Sequence, residues 1–200
     1  MTPRLSRVLL GLVVVAAIVG VVVARRTSAN DVAPAATFTS ANDLPILRKD
    51  TPAIHASDWL NTEPLDASSL AGKVVLYDFW TFGCVNCRNT QPWVKAWFAR
   101  YGPDGLVVLS VHTPEFSYEA DPKAVAKYVA ENAITYPVAL DANRATWQSF
   151  DNHYWPAFYL HDRIGQRRLT HFGEGAYAQT EDAIRALLGV KADSPRASVA

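Results

Sequence analysis

The chain has 200 residues, half of them apolar, with nineteen basic and nineteen acidic side chains, six Trp, eight Tyr and eight Phe. Balanced charge leaves no net field to attract a polyanion and argues against nucleic acid as a partner, and the aromatic content suits one well-filled globular core rather than a disordered chain. The two cysteines, Cys84 and Cys87, are too few for a disulfide-stapled scaffold or a four-thiolate zinc or iron–sulfur site, so they act as a pair.

The first 26 residues hold Arg4, Arg7, Arg25 and Arg26 and no acid. Val8 to Ala24 carries no charged or polar side chain, and as a helix it would cover about 26 Å at ~1.5 Å per residue, nearly the width of a bilayer core. Residues 1–26 therefore read as a signal anchor. Arg25 and Arg26 argue against cleavage after Ala24, and the run offers no polar face for a buried helix of a soluble domain. Residues 27–45, rich in Ala, Thr, Ser, Asn and Asp, read as a flexible stalk, and residues 191–200 as a disordered tail. Pro45 to Gly72 is expected to add a small hairpin and a loop.

Within residues 46–190 the periodicity alternates between strand and helix. Lys73 to Trp80 is a continuous β-branched and aromatic run, the pattern of a central strand buried on both faces. A helix is predicted from about Cys84 to Arg100, with Trp93/Trp97 and Val94/Phe98 at i,i+4 spacing, Tyr101-Gly102-Pro103 as its stop and Pro92 inside it. Leu106 to Val111 is the next strand, and Asp121-Pro122 opens a helix to about Glu131 as N-cap and first helical residue. Tyr136 to Leu140 reads as a short strand and Arg144 to Phe150 as a short helix. Ala157 to His161 and Arg167 to Phe172 read as a hairpin around Asp162-Arg163-Ile164-Gly165, and Thr180 to Leu188 as a last helix. The sum is an α/β fold: a three-layer α/β/α sandwich on a central mixed sheet.

Cys84-Val85-Asn86-Cys87 falls between the buried strand and the helix. A thiol at a helix N-terminus meets unpaired backbone N–H groups and the positive end of the helix dipole, both of which favour thiolate. Cys84 is thus the expected nucleophile. Cys87, one turn on, can attack a mixed disulfide at Cys84 and release the partner. A CxxC at a strand-to-helix junction, with a proline five residues past the second Cys, is a far more specific signal than the four letters alone.

The segment YDFWTFGCVNCRNTQPW resembles the active-site stretch of the thioredoxin superfamily and, within it, the membrane-anchored TlpA/ResA-like thiol–disulfide oxidoreductases. From WLNTEPL through GLVVLSVHTPEF, NHYWPAFYL and HFGEGAY the chain is similar to the thioredoxin-like domain of DipZ-type proteins, where that domain is fused to a CcdA-like membrane electron carrier. The resemblance covers about Pro45 to Val190 and implies a separate electron donor, such as a CcdA-like carrier, since the fused carrier is lacking. It implies Cys84 as attacking thiol, Cys87 as resolving thiol and Pro156 as a cis-proline that brings the backbone of Trp155 beside the disulfide as an edge for a substrate chain. It also matches Asp78, six residues before Cys84, to the buried acid beneath the resolving cysteine. In an apolar strand its pKa should be raised so that it can take the Cys87 proton; the alternative is a strand-end acid bonded to backbone or lysine. Many TlpA-like proteins carry Glu three residues after the second Cys. Thr90 stands there, so that role is unfilled or passes to Glu115. Gly83 replaces a Trp, which predicts a more open mouth, with Trp80, Phe82 and Trp155 as candidate walls. His112 and His153 fall on loops near the cysteines and read first as surface or hydrogen-bonded histidines.

No cofactor is expected beyond the redox-active Cys84–Cys87 disulfide, and no metal. The leading reading is a thiol–disulfide oxidoreductase anchored in the membrane, its domain on the extracytoplasmic, periplasmic side, exchanging disulfides with protein partners and slightly favouring reduction. Two alternatives stay open: a copper-binding metallochaperone using both thiols and a histidine such as His153, and a thiol peroxidase in which Cys87 resolves a sulfenate at Cys84.

Overall fold

The computed structural model describes residues 38–199. The expected anchor, residues 1–26, and residues 27–37 of the expected stalk lie outside that range. Among the described residues no helix is long and apolar enough to cross a membrane.

Six strands form one mixed sheet in the order β1-β4-β3-β2-β5-β6. They are β1 (Asp58–Leu60), β2 (Val74–Trp80), β3 (Leu106–His112), β4 (Val138–Leu140), β5 (Ala157–His161) and β6 (Arg167–Phe172). The helices are α1 (Val85–Tyr101), α2 (Pro122–Glu131), α3 (Ala145–Ser149) and α4 (Tyr177–Leu188). The central strand β2 runs parallel to β3 and antiparallel to β5, and all seven of its residues are buried.

The two-residue period of β2 divides the core. Leu76 and Trp80 point to a cluster with Val94 and Trp97 of α1, Val125 and Val129 of α2, and Ile184 of α4. Val75, Tyr77 and Phe79 point the other way, to Trp147 and Phe150 at α3 and to Leu70. That second face carries an aromatic lattice: Phe79 meets Trp147, Phe150 and Tyr159 edge-on, with ring centroids 5.1 to 6.1 Å apart. With both faces of β2 filled, the place where the strand ends and α1 begins is fixed.

Several boundaries differ from the sequence reading. The hairpin expected between Pro45 and Gly72 is instead the single edge strand β1, antiparallel to β4. β4 starts at Val138, because Pro137 has no N–H to give to a ladder. α4 starts at Tyr177, so Glu181 and Asp182 lie in its second turn, where they bind Arg196.

The described part of the expected stalk packs on the domain. Leu44 is buried in the α1 face and Arg168 donates to the Ala41 and Leu44 carbonyls at 2.6 Å; just past the expected stalk, the backbones of Leu47 and Arg48 pair with Arg167 on the free edge of β6. The expected disordered tail is likewise held: Arg185, itself buried, donates to the Lys191, Ala192, Ser194 and Pro195 carbonyls, and Glu181 accepts the Ala197 N–H at 2.8 Å. Composition suggested free chain at both ends because, among the described residues, the stalk has only the one short 3-10 turn Ala41–Asp43 and the tail no helix or strand; arginines on the folded body supply the partners.

Leu44→Ala is expected to cost about 2–5 kcal/mol in urea unfolding, as for a core leucine. A change below about 0.5 kcal/mol would return residues 38–45 to the status of a stalk.

Candidate active site

β2 ends at Trp80, and Thr81, Phe82 and Gly83 turn the chain into α1. Cys84 is the N-cap, extended at φ −76°, ψ 119°, and its sulfur accepts the Cys87 N–H at 3.2 Å. A sulfur thus takes the place of the oxygen that usually satisfies a first-turn N–H. Cys84 and Cys87 are joined as a disulfide, with Cα atoms 5.3 Å apart. The two sulfurs differ in surroundings: Cys87 is 2% exposed in the core, whereas Cys84 is partly exposed and flanked by exposed Gly83, Val85 and Asn86.

Asp78 lies on the β2 face that α1 covers and is 3% exposed. Its Oδ2 accepts the Ser110 hydroxyl at 3.4 Å, and Oδ1 has no partner. Burial without a cation pushes its pKa up to about 7. Thr90, where TlpA-like chains carry an acid, is buried and donates to the Cys87 carbonyl at 2.8 Å.

The Trp155-Pro156 peptide bond is cis. The Trp155 indole N–H donates to the Thr113 carbonyl at 3.0 Å, and its ring lies 4.1 Å from that of Trp147, with the Arg144 guanidinium 5.1 Å away. The Pro156 carbonyl accepts the Gly173 N–H. Phe82 is half-buried, stacked between His112 and Tyr128. Trp80 corrects the sequence reading: at 2% exposure it is a core residue and walls no surface site.

Two further candidates are also corrected. Glu115 is exposed and brings no carboxylate into the site; its backbone N–H instead donates to Glu119. His153 is exposed, with Nε2 3.3 Å from Asp151 Oδ1. His112 is the buried, hydrogen-bonded histidine of the two: Nε2 lies 3.3 Å from Thr81 Oγ1 and 3.4 Å from the Phe82 N–H, and burial lowers its pKa to about 4. Among the described residues no group of three or more His, Cys, Asp and Glu side chains is placed to hold a metal ion.

Glu119 is the residue that sequence reasoning missed. It is fully buried, and its Oε1 accepts the N–H of Gly83, the residue before Cys84, at 3.1 Å. The more open mouth expected from Gly83 is not found. A Cβ there would run into Glu119 Oε1 and come within 2.8 Å of the Tyr118 hydroxyl, so the space is filled from the β3–α2 loop. Its place in HTPEFSYE, four residues after Glu115, gave no signal to set it apart from that acid.

A thioredoxin-like sheet with a CxxC at the start of α1 and a cis-proline before β5 defines a dithiol–disulfide exchange site. DipZ of Mycobacterium tuberculosis is 49% identical over 145 residues, 68% of this chain and 21% of DipZ. The chain thus spans about a fifth of the length of that relative. Thiol-disulfide oxidoreductase YkuV of Bacillus subtilis is 35% identical over 117 residues, 58% of this chain and 77% of YkuV. The solution structure of a thioredoxin-like protein in the oxidized form superposes with a TM-score of 0.65 at 31% identity, covering 72% of this chain and 97% of that one. No family model matches the chain. It belongs to the thioredoxin-like thiol–disulfide oxidoreductases.

Asp78 fixes a pH dependence. Its folded pKa is raised above the unfolded value, so folding holds the proton and stability falls as pH rises from about 3.8 to about 7, then stays level. Asp78→Asn is expected to stabilise the oxidised protein by up to about 4 kcal/mol near pH 8 and by nothing near pH 4. Urea unfolding across that range checks it; a gain independent of pH would contradict it.

Proposed function

We propose that this protein is a membrane-tethered reductant of protein disulfides working on the extracytoplasmic side, with Cys84 as the attacking thiol and Cys87 as the resolving thiol. The observation that carries the assignment is the contrast between the two sulfurs: one at the surface where a helix begins, the other buried on the side of Asp78.

The Cys84 thiolate attacks one sulfur of a substrate disulfide. The Cys84–substrate bond forms, the substrate S–S bond breaks, and the first substrate sulfur leaves as thiolate and takes a proton from water. Cys87 then gives its proton to Asp78 and attacks Cys84. The Cys84–Cys87 bond forms, the mixed disulfide breaks, and the second substrate sulfur leaves. Two electrons have passed from the pair to the substrate. A carboxylate with a pKa of about 7 suits both the uptake and the later release of that proton.

The backbone of Trp155 and Pro156 offers the substrate chain an extended edge. The disulfide itself is the redox group, and no other cofactor enters the reaction. A dithiol donor restores the reduced pair, and the resemblance to DipZ-type domains favours a CcdA-like membrane carrier in that role. The apolar run Val8 to Ala24 supports the tether, and the need for a compartment in which disulfides arise supports the location.

Cys87→Ser, expressed in cells, is expected to accumulate mixed disulfides through Cys84, identifiable by mass spectrometry, while Cys84→Ser accumulates none. Adducts confined to Cys84→Ser would reverse the two roles.

A further inference from the structure

Glu119 sits in the short turn Ser117–Ala120 between β3 and α2 and has no exposed surface. Besides the Gly83 N–H on Oε1, its Oε2 accepts the N–H groups of Glu115 at 2.7 Å and Phe116 at 3.0 Å. All three of these partners are backbone N–H donors, the set that a carboxylate accepts from, and the Tyr118 hydroxyl is a further hydrogen-bonding neighbour. One buried side chain thereby ties the residue before Cys84 to a turn that displays Phe116 and Tyr118, both exposed and stacked 5.8 Å apart.

The charged and titratable neighbours leave this carboxylate without a counterion. His112, on β3, is neutral at physiological pH because burial lowers its pKa to about 4. Tyr118 presents a phenol and Glu115 a second acid on the same turn. Arg144, ahead of α3, spends its guanidinium on the Pro114 carbonyl at 2.6 and 3.1 Å. Among the described residues Glu119 forms no ion pair within 4 Å. A buried carboxylate held by three backbone N–H groups and no cation keeps its field, which falls one residue from the reactive sulfur.

We propose that Glu119 is a positioning residue for the exchange reaction, holding the turn before Cys84 in place and, through its charge, disfavouring the Cys84 thiolate so that the pair gives up electrons more readily. The charge opposes the helix N-terminus. It trims the stabilisation of the thiolate and so biases the Cys84–Cys87 couple toward disulfide, the state of a spent reductant. Gly83 is the matching half of the device, since any Cβ would displace the carboxylate from the N–H it accepts. The inference rests on the exchange reading above.

The test compares the reduced wild type with Glu119→Gln, which keeps the size and removes the charge, and Glu119→Asp, which keeps the charge. Near pH 6, alkylation of Cys84 by iodoacetamide is expected to run about three- to ten-fold faster in Glu119→Gln and to stay within about two-fold of wild type in Glu119→Asp. Near pH 9, where the thiolate is formed in each, the rates are expected to converge. The equilibrium with glutathione is expected to move toward the dithiol in Glu119→Gln by a similar factor. Equal rates for Glu119→Gln and wild type near pH 6, or the same acceleration at both pH values, would overturn the proposal, as would equal acceleration in both variants. In the wild type alone, hydrogen exchange at the Gly83 amide is expected to be slowed at least ten-fold by its bond to Glu119 although the residue itself is exposed; free exchange there would overturn the clamp without any variant. A wild type that exchanges with no dithiol would sink the parent reading, while the alkylation series would still decide what Glu119 does to the sulfur.

Discussion

The site depends on a sulfur placed where a helix has backbone donors to spare. α1 begins with N–H groups that no earlier carbonyl can reach, and Cys84 Sγ accepts one of them, from Cys87. Unpaired amides and aligned peptide dipoles act there as roughly half a positive charge. For that to matter, the start of the helix must not drift. β2 supplies the constraint: it is hydrogen-bonded on both edges, buried on both faces, and ends four residues before the cysteine. Val94 and Trp97 then hold α1 against the same strand.

Three of the buried carboxylates, Asp78, Glu119 and Asp141, differ in what satisfies them. Asp78 has one weak hydroxyl partner and an orphaned oxygen, which makes it a group whose proton is held near neutrality. Glu119 has three amide donors and, among the described residues, no ion-pair partner, and it ties the turn before Cys84 to the loop after β3. Asp141 accepts the Thr113 hydroxyl and the N–H groups of Thr146 and Trp147 at 2.8 to 3.0 Å, so it joins the end of β4 to α3 and to the loop after β3. That last set closes a circuit. Trp155 donates to Thr113, Thr113 to Asp141, the Trp147 N–H to Asp141, and the Trp147 ring packs on Trp155. The segment leading into Pro156 is thus held from two sides by groups remote from the cysteines in sequence.

What the sequence disclosed and what it concealed follow from the range of the interactions involved. β2, β3, β5, β6, α1 and α2 were legible because local signals agree: a two-residue period, a β-branched run, or Asp121 capping a helix whose first residue is Pro122. Cys84 and Cys87 were legible because their spacing acquires meaning at a strand-to-helix junction. β1 has only three residues and exists through β4. The start of α4 was displaced because Ala176 caps it in a left-handed conformation at φ 48°, with no side-chain acceptor to announce it. The segments around Leu44 and Pro195 look like free chain until Arg168 and Arg185 are seen to hold their carbonyls. Between Glu115 and Glu119 linear order offers no choice; the turn sends one carboxylate into solvent and the other under Gly83.

The most direct measurement is the titration of the two thiols in the reduced protein, followed by thiolate absorbance and assigned with single Cys→Ser variants. A sulfur at the start of α1 is expected to ionise at least about one unit below the ~8.5 of free cysteine, with Cys87 above it because it is buried. If both thiols ionised at or above the free value, the helix terminus would not be activating Cys84, and the account of the site would be contradicted.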